Sequence, residues 1–121
     1  MRKVSKNPRS KLIKKCDVIF SKIIRKRDKI CRKCRKTEST QCAHIFSRSN
    51  MATRFNPTNA LGLCFYCHLM WAHRNPVEFT LWAKRELGQK NWEKIERLSN
   101  TIKQWTPKEL QGLYDNLKLQ I

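Results

Sequence analysis

A small α+β fold is what this sequence predicts, on three observations. Two Cys-x-x-Cys pairs, Cys31/Cys34 and Cys64/Cys67, enclose a segment longer than a hairpin needs. Inside it, Gln41 to Phe46 alternates as a strand does, and Ala60 to Leu63 is a second short apolar run leading into a helix. Amphipathic helical periods flank the whole on both sides. The expected architecture is a zinc-braced ββα core with a basic N-terminal helix and a C-terminal helical section.

Taken in order, residues 1–9 are polar and basic, contain Pro8, and are expected to form a disordered arm. From Ser10 to Asp28, Leu12, Cys16, Ile19, Phe20, Ile23 and Ile24 fall on one face of a helix. Cys16 lies in that stripe and reads as a small core residue rather than a ligand. Cys31 to Cys34 is a knuckle turn, Thr37 to Thr40 is turn-like, and Ser47 to Asn59 is a polar loop between the two strands. A helix is expected from Phe65 to Ala72. These parts make up residues 10–74, and residues 75–121 read as a helical extension.

In that extension Asn75 is an N-cap candidate, Pro76 suits the first helical position and Gly88 is the stop. A second helix is expected from Gln89 to Gln104. Thr106-Pro-Lys-Glu109 is a capping box that opens a last helix carrying Leu110, Leu113 and Leu117. Trp82, Trp92 and Trp105 are expected to pack this section rather than stack on bases.

A chain of 121 residues makes one small domain. Such a chain buries only about two-thirds of the surface its unfolded form exposes, so a structural metal adds useful stability. The formal charge is +18, from 27 Lys and Arg against 9 Asp and Glu. Residues 1–36 hold sixteen of the cations against Asp17 and Asp28 alone, a net of +14. A polyanion is the partner such charge favours, nucleic acid ahead of an anionic membrane. The longest early apolar run is Val18-Ile19-Phe20, so neither a secretory leader nor a membrane span is expected. The six cysteines then read as thiols of a reducing, cytoplasmic compartment.

The two cysteine pairs lie 29 residues apart, against the usual 15–20 of a zinc ribbon, which implies inserted structure. Four thiolates around Zn²⁺ leave no open position, so Cys31, Cys34, Cys64 and Cys67 are expected to hold a structural ion. Chemistry would fall to the histidines. Hydrolysis of a phosphodiester needs a base, a cation and groups that position the backbone. His44 can be the base, with an ordinary pKa near 6.5, and Asn59 can hold the ring and loop by hydrogen bonds. His68, placed by Cys67, can ligate a second, catalytic cation. His73 is a weaker ligand candidate, because five residues fit one face of an α-helix poorly. Cys42 shares a strand face with His44, and could be a ligand, a packing residue or an alternative thiol for the zinc. Arg48 and Arg54 are candidate phosphate contacts, with Arg25, Arg27 and Lys22 of the basic helix.

The run Cys31-x-x-Cys34 … His44 … Asn59-Ala-Leu-Gly-Leu-Cys64-x-x-Cys67-His68 resembles the HNH (His-Me finger) endonuclease motif. Gln41-Cys-Ala-His44-Ile-Phe-Ser-Arg48, Ala52-Thr-Arg54-Phe and Asn59 are similar to phage recombination proteins of the NinG (Rap) family. So are Lys15-Cys-Asp17, the stretch Phe20 to Asp28, Phe79-Thr-Leu-Trp82 and Trp105 to Leu110. The resemblance covers about residues 10–119. It implies a metal-dependent DNA endonuclease with His44 as general base, Asn59 as the central Asn and His68 as a metal ligand. The implied substrates are branched recombination intermediates, Holliday junctions or D-loops, cut with Mg²⁺ or Mn²⁺ in the cytoplasm of a bacterial host. Many HNH enzymes place Asp or His directly before the catalytic His, where this chain has Ala43. Two other functions stay open on the sequence: a non-catalytic zinc-stabilised DNA- or RNA-binding module, and an HNH nuclease acting on ordinary duplex. A resolvase cuts two strands, so a homodimer is expected.

Overall fold

The computed structural model describes residues 7–121. Its elements are α1 (Pro8–Arg27), β1 (Gln41–His44), β2 (Ala60–Leu63), a π-helix (Tyr66–Ala72), α2 (Pro76–Leu87), α3 (Gln89–Ser99) and α4 (Pro107–Lys118). Among the described residues this is a small α+β structure, with five helices around one two-stranded antiparallel sheet. No helix among them is long and apolar enough to cross a membrane.

The start of α1 corrects the expected arm. Residues 1–6 lie outside the described residues, while Pro8 and Arg9 are helical. Asn7 makes this possible: its side chain accepts the Ser10 N–H at 2.8 Å, and Pro8 sits where a missing N–H is harmless. The apolar stripe of α1 then buries as its period requires. Cys16, Ile19, Phe20 and Ile24 pack with Phe55, Ala60, and Leu110 and Leu117 of α4. Full burial of side chains such as Phe20, Ile24 and Leu110 contributes about 1.5–3 kcal/mol each. Cys16 is a core thiol, donating to the Leu110 carbonyl at 3.6 Å, and burial pushes its pKa up to about 11.

β1 and β2 pair antiparallel, with Gln41 opposite Leu63, Cys42 opposite Gly62, Ala43 opposite Leu61 and His44 opposite Ala60. The sheet therefore has two differently used faces. Cys42, His44 and Ala60 look toward α1, whereas Ala43 and Leu63 join a second core with Cys31, Cys67, Ala72 and Phe79. β1 ends two residues before the predicted Phe46, because the backbone of Phe46 pairs with the Asn59 side chain instead of with β2. Gly62 is required by close approach. A Cβ there would lie 2.5 Å from Ser39 Oγ and 2.7 Å from Asp28 Cβ.

Two helical expectations need correction. Asn75 precedes α2 but does not cap it; its Nδ2 donates to the Trp71 carbonyl at 2.9 Å. α3 stops at Ser99, not Gln104, and Ile102 is 96% exposed. The chain leaves the helix there because Asn50 Nδ2 donates to the Ser99 carbonyl, and because Trp105 is anchored elsewhere. The Trp105 ring meets Phe55 edge-on at 5.9 Å and its Nε1 donates to the Met51 carbonyl at 3.0 Å. α4 begins as predicted, with both arms of the Thr106/Glu109 capping box formed.

Candidate metal centre and histidine pocket

Cys31, Cys34, Cys64 and Cys67 converge, with all four sulfurs within 4.8 Å of one another and Cys34 Sγ 4.0 Å from Cys64 Sγ. A tetrahedral ZnS₄ site with bonds near 2.3 Å has sulfur–sulfur edges of about 3.8 Å, so a small contraction suits these thiols to zinc. The first knuckle turns at Arg35, whose φ of 56° allows Cys34 to face back toward Cys31. Backbone N–H groups of Lys36 and Thr37 aim at Cys34 and hold its thiol down at about 6. Burial pushes Cys67 upward, and the neighbouring sulfurs raise it further. Four converging sulfurs with such opposed preferences are a set that a dication would relieve by taking all four as thiolates.

Asp28 ties this cluster to α1 and β2. Its oxygens accept from Arg27 at 3.0 and 2.7 Å, from Arg32 at 3.2 Å and from the Gly62 N–H at 2.9 Å. Burial alone would raise its pKa, but these hydrogen bonds and the two guanidinium charges outweigh it and hold the carboxyl below its ordinary value. Arg32 continues to Glu86 of α2 at 3.1 Å.

Beside the cluster, a pocket of about 690 Å³ runs along the outer edge of β1. It is lined by His44, His68 and His73, together with Arg48, Asp17 and Gln41. His44 reaches it from the α1 side of the sheet. Its Nε2 lies 3.0 Å from the Arg54 carbonyl, which can only accept, so Nε2 carries the proton and Nδ1 keeps a lone pair. Burial pulls the His44 pKa below 6.5, and the charges of Arg48 and Arg54 act in the same direction. The ring is therefore neutral near pH 7, in the tautomer a base needs.

His68 and His73 come from the π-helix and its end. The His73 N–H bonds to the His68 carbonyl, an i→i+5 turn, and this wider turn puts the two rings on one side. Their Nε2 atoms are 3.1 Å apart. An expected α-helix would have splayed them, and that is why the five-residue spacing looked unfavourable. Gln41 Oε1 lies 3.4 Å from His68 Nδ1 and accepts its proton, which leaves the His68 Nε2 lone pair facing His73. Two imidazoles on one octahedral ion at about 2.1 Å would hold their nitrogens about 3.0 Å apart, so the pair suits a single cation. Burial, then the charges of His73 and His44, lower His68 to about 4.

Asn59 is completely buried and makes no side-chain hydrogen bond to the His44 ring. Its Oδ1 accepts from Phe46 N at 2.7 Å, and Nδ2 donates to the carbonyls of Phe46 at 3.1 Å and Thr53 at 3.2 Å. It pins both ends of the loop whose Arg54 carbonyl holds His44.

The remaining candidates divide. Arg48 lines the pocket with a side chain 61% exposed, its Nη1 3.9 Å from Asp17 Oδ2 in a long ion pair. Arg54 is a clamp rather than a free cation. Its guanidinium binds Asp17 at 3.0 and 2.6 Å, and its Nη1 donates to the Arg48 carbonyl. Arg27 is likewise engaged, with Asp28 and the carbonyls of Pro57 and Ala60. Arg25 bonds back to Ser21 within α1. Lys22 lies on a different strip of α1, outside the histidine pocket. Cys42 shares the strand face of His44, lines the same pocket and packs against the α1 core, and burial pushes its thiol up to about 12. Gln41 and Asp17 were not singled out from the sequence. Gln41 had a usable signal, since it lies two residues before Ala43 on the strand face that looks toward the knuckles.

Comparison of the chain with protein-family models, with curated proteins and with solved structures finds no match.

Proposed function

We propose that this chain is a metal-dependent DNA endonuclease of the HNH (His-Me finger) type, hydrolysing phosphodiester bonds in branched recombination intermediates. The observation that carries this reading is the shared pocket: His44, its Nε2 set against the Arg54 carbonyl, faces the same cavity as the paired His68 and His73. The succession β1, loop, β2, π-helix supports the reading, since a ββα unit would run in that order with Asn59 between its strands.

In this reading His44 Nδ1 takes a proton from the attacking water while the Arg54 carbonyl holds Nε2–H and the charge that develops on the ring. Asn59 keeps that carbonyl in place by pinning the loop. Arg48, exposed at the pocket wall, pairs with a phosphate oxygen next to the scissile bond. His68 and His73 would hold the catalytic cation, with Gln41 fixing the His68 ring. When bound, that cation supplies charge stabilisation at the phosphate and the leaving oxygen. Imidazole donors suit Mn²⁺ better than Mg²⁺, which prefers an all-oxygen shell. The Asp17 carboxylate, which also lines the pocket, is engaged by Arg54 and lies 3.9 Å from Arg48.

The test is to incubate zinc-loaded protein with a synthetic four-way junction and with linear duplex, adding Mn²⁺, Mg²⁺ or no cation. Cutting of the junction in Mn²⁺ and none without added cation is expected. Binding of both DNAs with no cutting in any cation would return the chain to a zinc-stabilised nucleic-acid-binding module. Equal cutting of linear duplex would remove the branched-DNA specificity.

A further inference from the structure

A second groove, of about 790 Å³, lies between α1 and α4 on another strip of α1 from the one that carries Asp17 and Ser21. Lys11, Lys14, Lys15, Lys22 and Lys118 rim it, and none of the described residues lining it is acidic. Its floor is apolar: Val18 is 54% exposed, Ile121 is 55% exposed, and Tyr114 lies between the ammonium groups of Lys15 at 5.2 Å and Lys118 at 5.8 Å. Five like charges placed together repel one another, so nothing within the fold explains their grouping.

We infer that this groove binds an unpaired DNA strand, with its phosphates on the lysines and its sugars and bases on the Val18–Tyr114–Ile121 floor. Charge complementarity selects a polyanion. The apolar floor selects among polyanions, because a duplex presents phosphates outward and has no use for exposed Val18 and Ile121 beside a half-buried Tyr114. A single strand has bases to lay on them. From Lys11 to Lys22 the helix rises about 16 Å, a length over which one strand can follow the lysine row. The inference deepens the nuclease proposal and rests on it for its meaning. Substrates with a displaced strand, such as D-loops, would be held at this groove while the histidine pocket engages a neighbouring phosphate.

The experiment is equilibrium binding of fluorescent oligo-dT, and of a duplex of equal length, across a salt series, with far-UV circular dichroism and zinc content as controls. The groove side chains substituted, Lys14, Val18 and Lys22, are exposed, so these variants should fold. Wild type should bind oligo-dT more tightly than duplex. Lys14→Gln with Lys22→Gln should bind oligo-dT at least tenfold more weakly, with a salt slope shallower by about 1.4, since each phosphate contact contributes about 0.7 for single strands. Val18→Ser should weaken oligo-dT binding with the slope unchanged. Unchanged oligo-dT affinity in the double lysine variant would overturn the inference. So would tighter binding of duplex, or a groove whose lysine substitutions abolish only adhesion to anionic vesicles or only self-association in sedimentation. If wild type cuts no DNA yet loses oligo-dT binding in the groove variants, the groove stands and the nuclease proposal falls. If cutting occurs and the groove variants bind oligo-dT normally, the reverse holds.

Discussion

Replacing Asn59 separates two roles of a side chain that makes three buried hydrogen bonds and none to the His44 ring. Asn59→Ala leaves the Phe46 N–H and the carbonyls of Phe46 and Thr53 without their partner. An unmade buried hydrogen bond costs about 1–3 kcal/mol, and the three are not additive because the freed loop admits water. A loss of about 3 kcal/mol follows, out of the 5–15 kcal/mol usual for a domain. With a urea m-value of about 2 kcal/mol per molar, the midpoint of the zinc-loaded protein should fall by about 1.5 M, read by tryptophan fluorescence. Asn59→Asp should be worse at pH 7, since it sets a carboxylate oxygen against two carbonyls 3.1 and 3.2 Å away. Its pKa would be raised in the folded state, so the folded protein binds the extra proton. Stability should therefore increase as pH falls from 7 toward about 4, the opposite of the usual acid trend. A cost below about 1 kcal/mol for Asn59→Ala, or an Asp variant that weakens steadily on acidification, would refute the reasoning.

Asp28 has the contrary sign. Its folded pKa lies below its unfolded value, so its contribution is complete above about pH 4 and is lost as pH falls through the folded pKa. Relative to wild type, Asp28→Asn should show a shallower fall of Tm below pH 4. Gly62→Ala should cost about 2 kcal/mol in urea unfolding, because its Cβ meets Ser39 and Asp28 while β2 is fixed between α1 and the first knuckle. Purified wild type should contain one zinc ion per chain by metal analysis, and Cys64→Ser should lose it together with several degrees of Tm. Retention of full zinc by Cys64→Ser would remove that thiol from the ligand set.

Much of this molecule is written locally in the chain. The stripe from Cys16 to Ile24, the Thr106 capping box and the Gly88 stop are set by neighbours within a turn or two, and the structure has them where the sequence puts them. The cysteine pairs were legible for a different reason: a metal-ligand spacing is a local pattern that forces a long-range contact. What could not be read depends on partners distant in sequence. α3 ends early because Asn50 and Met51 take its last carbonyl and Trp105. Arg54 and Arg27 looked like surface cations, but Asp17 and Asp28 engage them across the fold. The π-helical winding that aligns His68 with His73 leaves no sign in residue spacing, since apolar periods are read against 3.6 residues per turn.

Everything proposed for the pocket depends on His44 acting as the base. The most direct measurement is therefore the cutting of a four-way junction by zinc-loaded His44→Ala, beside wild type, in excess Mn²⁺. Full zinc content, wild-type junction affinity and a loss of at least a hundredfold in cutting rate are predicted, in line with the 10²–10⁴ a general base contributes. Cutting by His44→Ala at the wild-type rate would contradict the account.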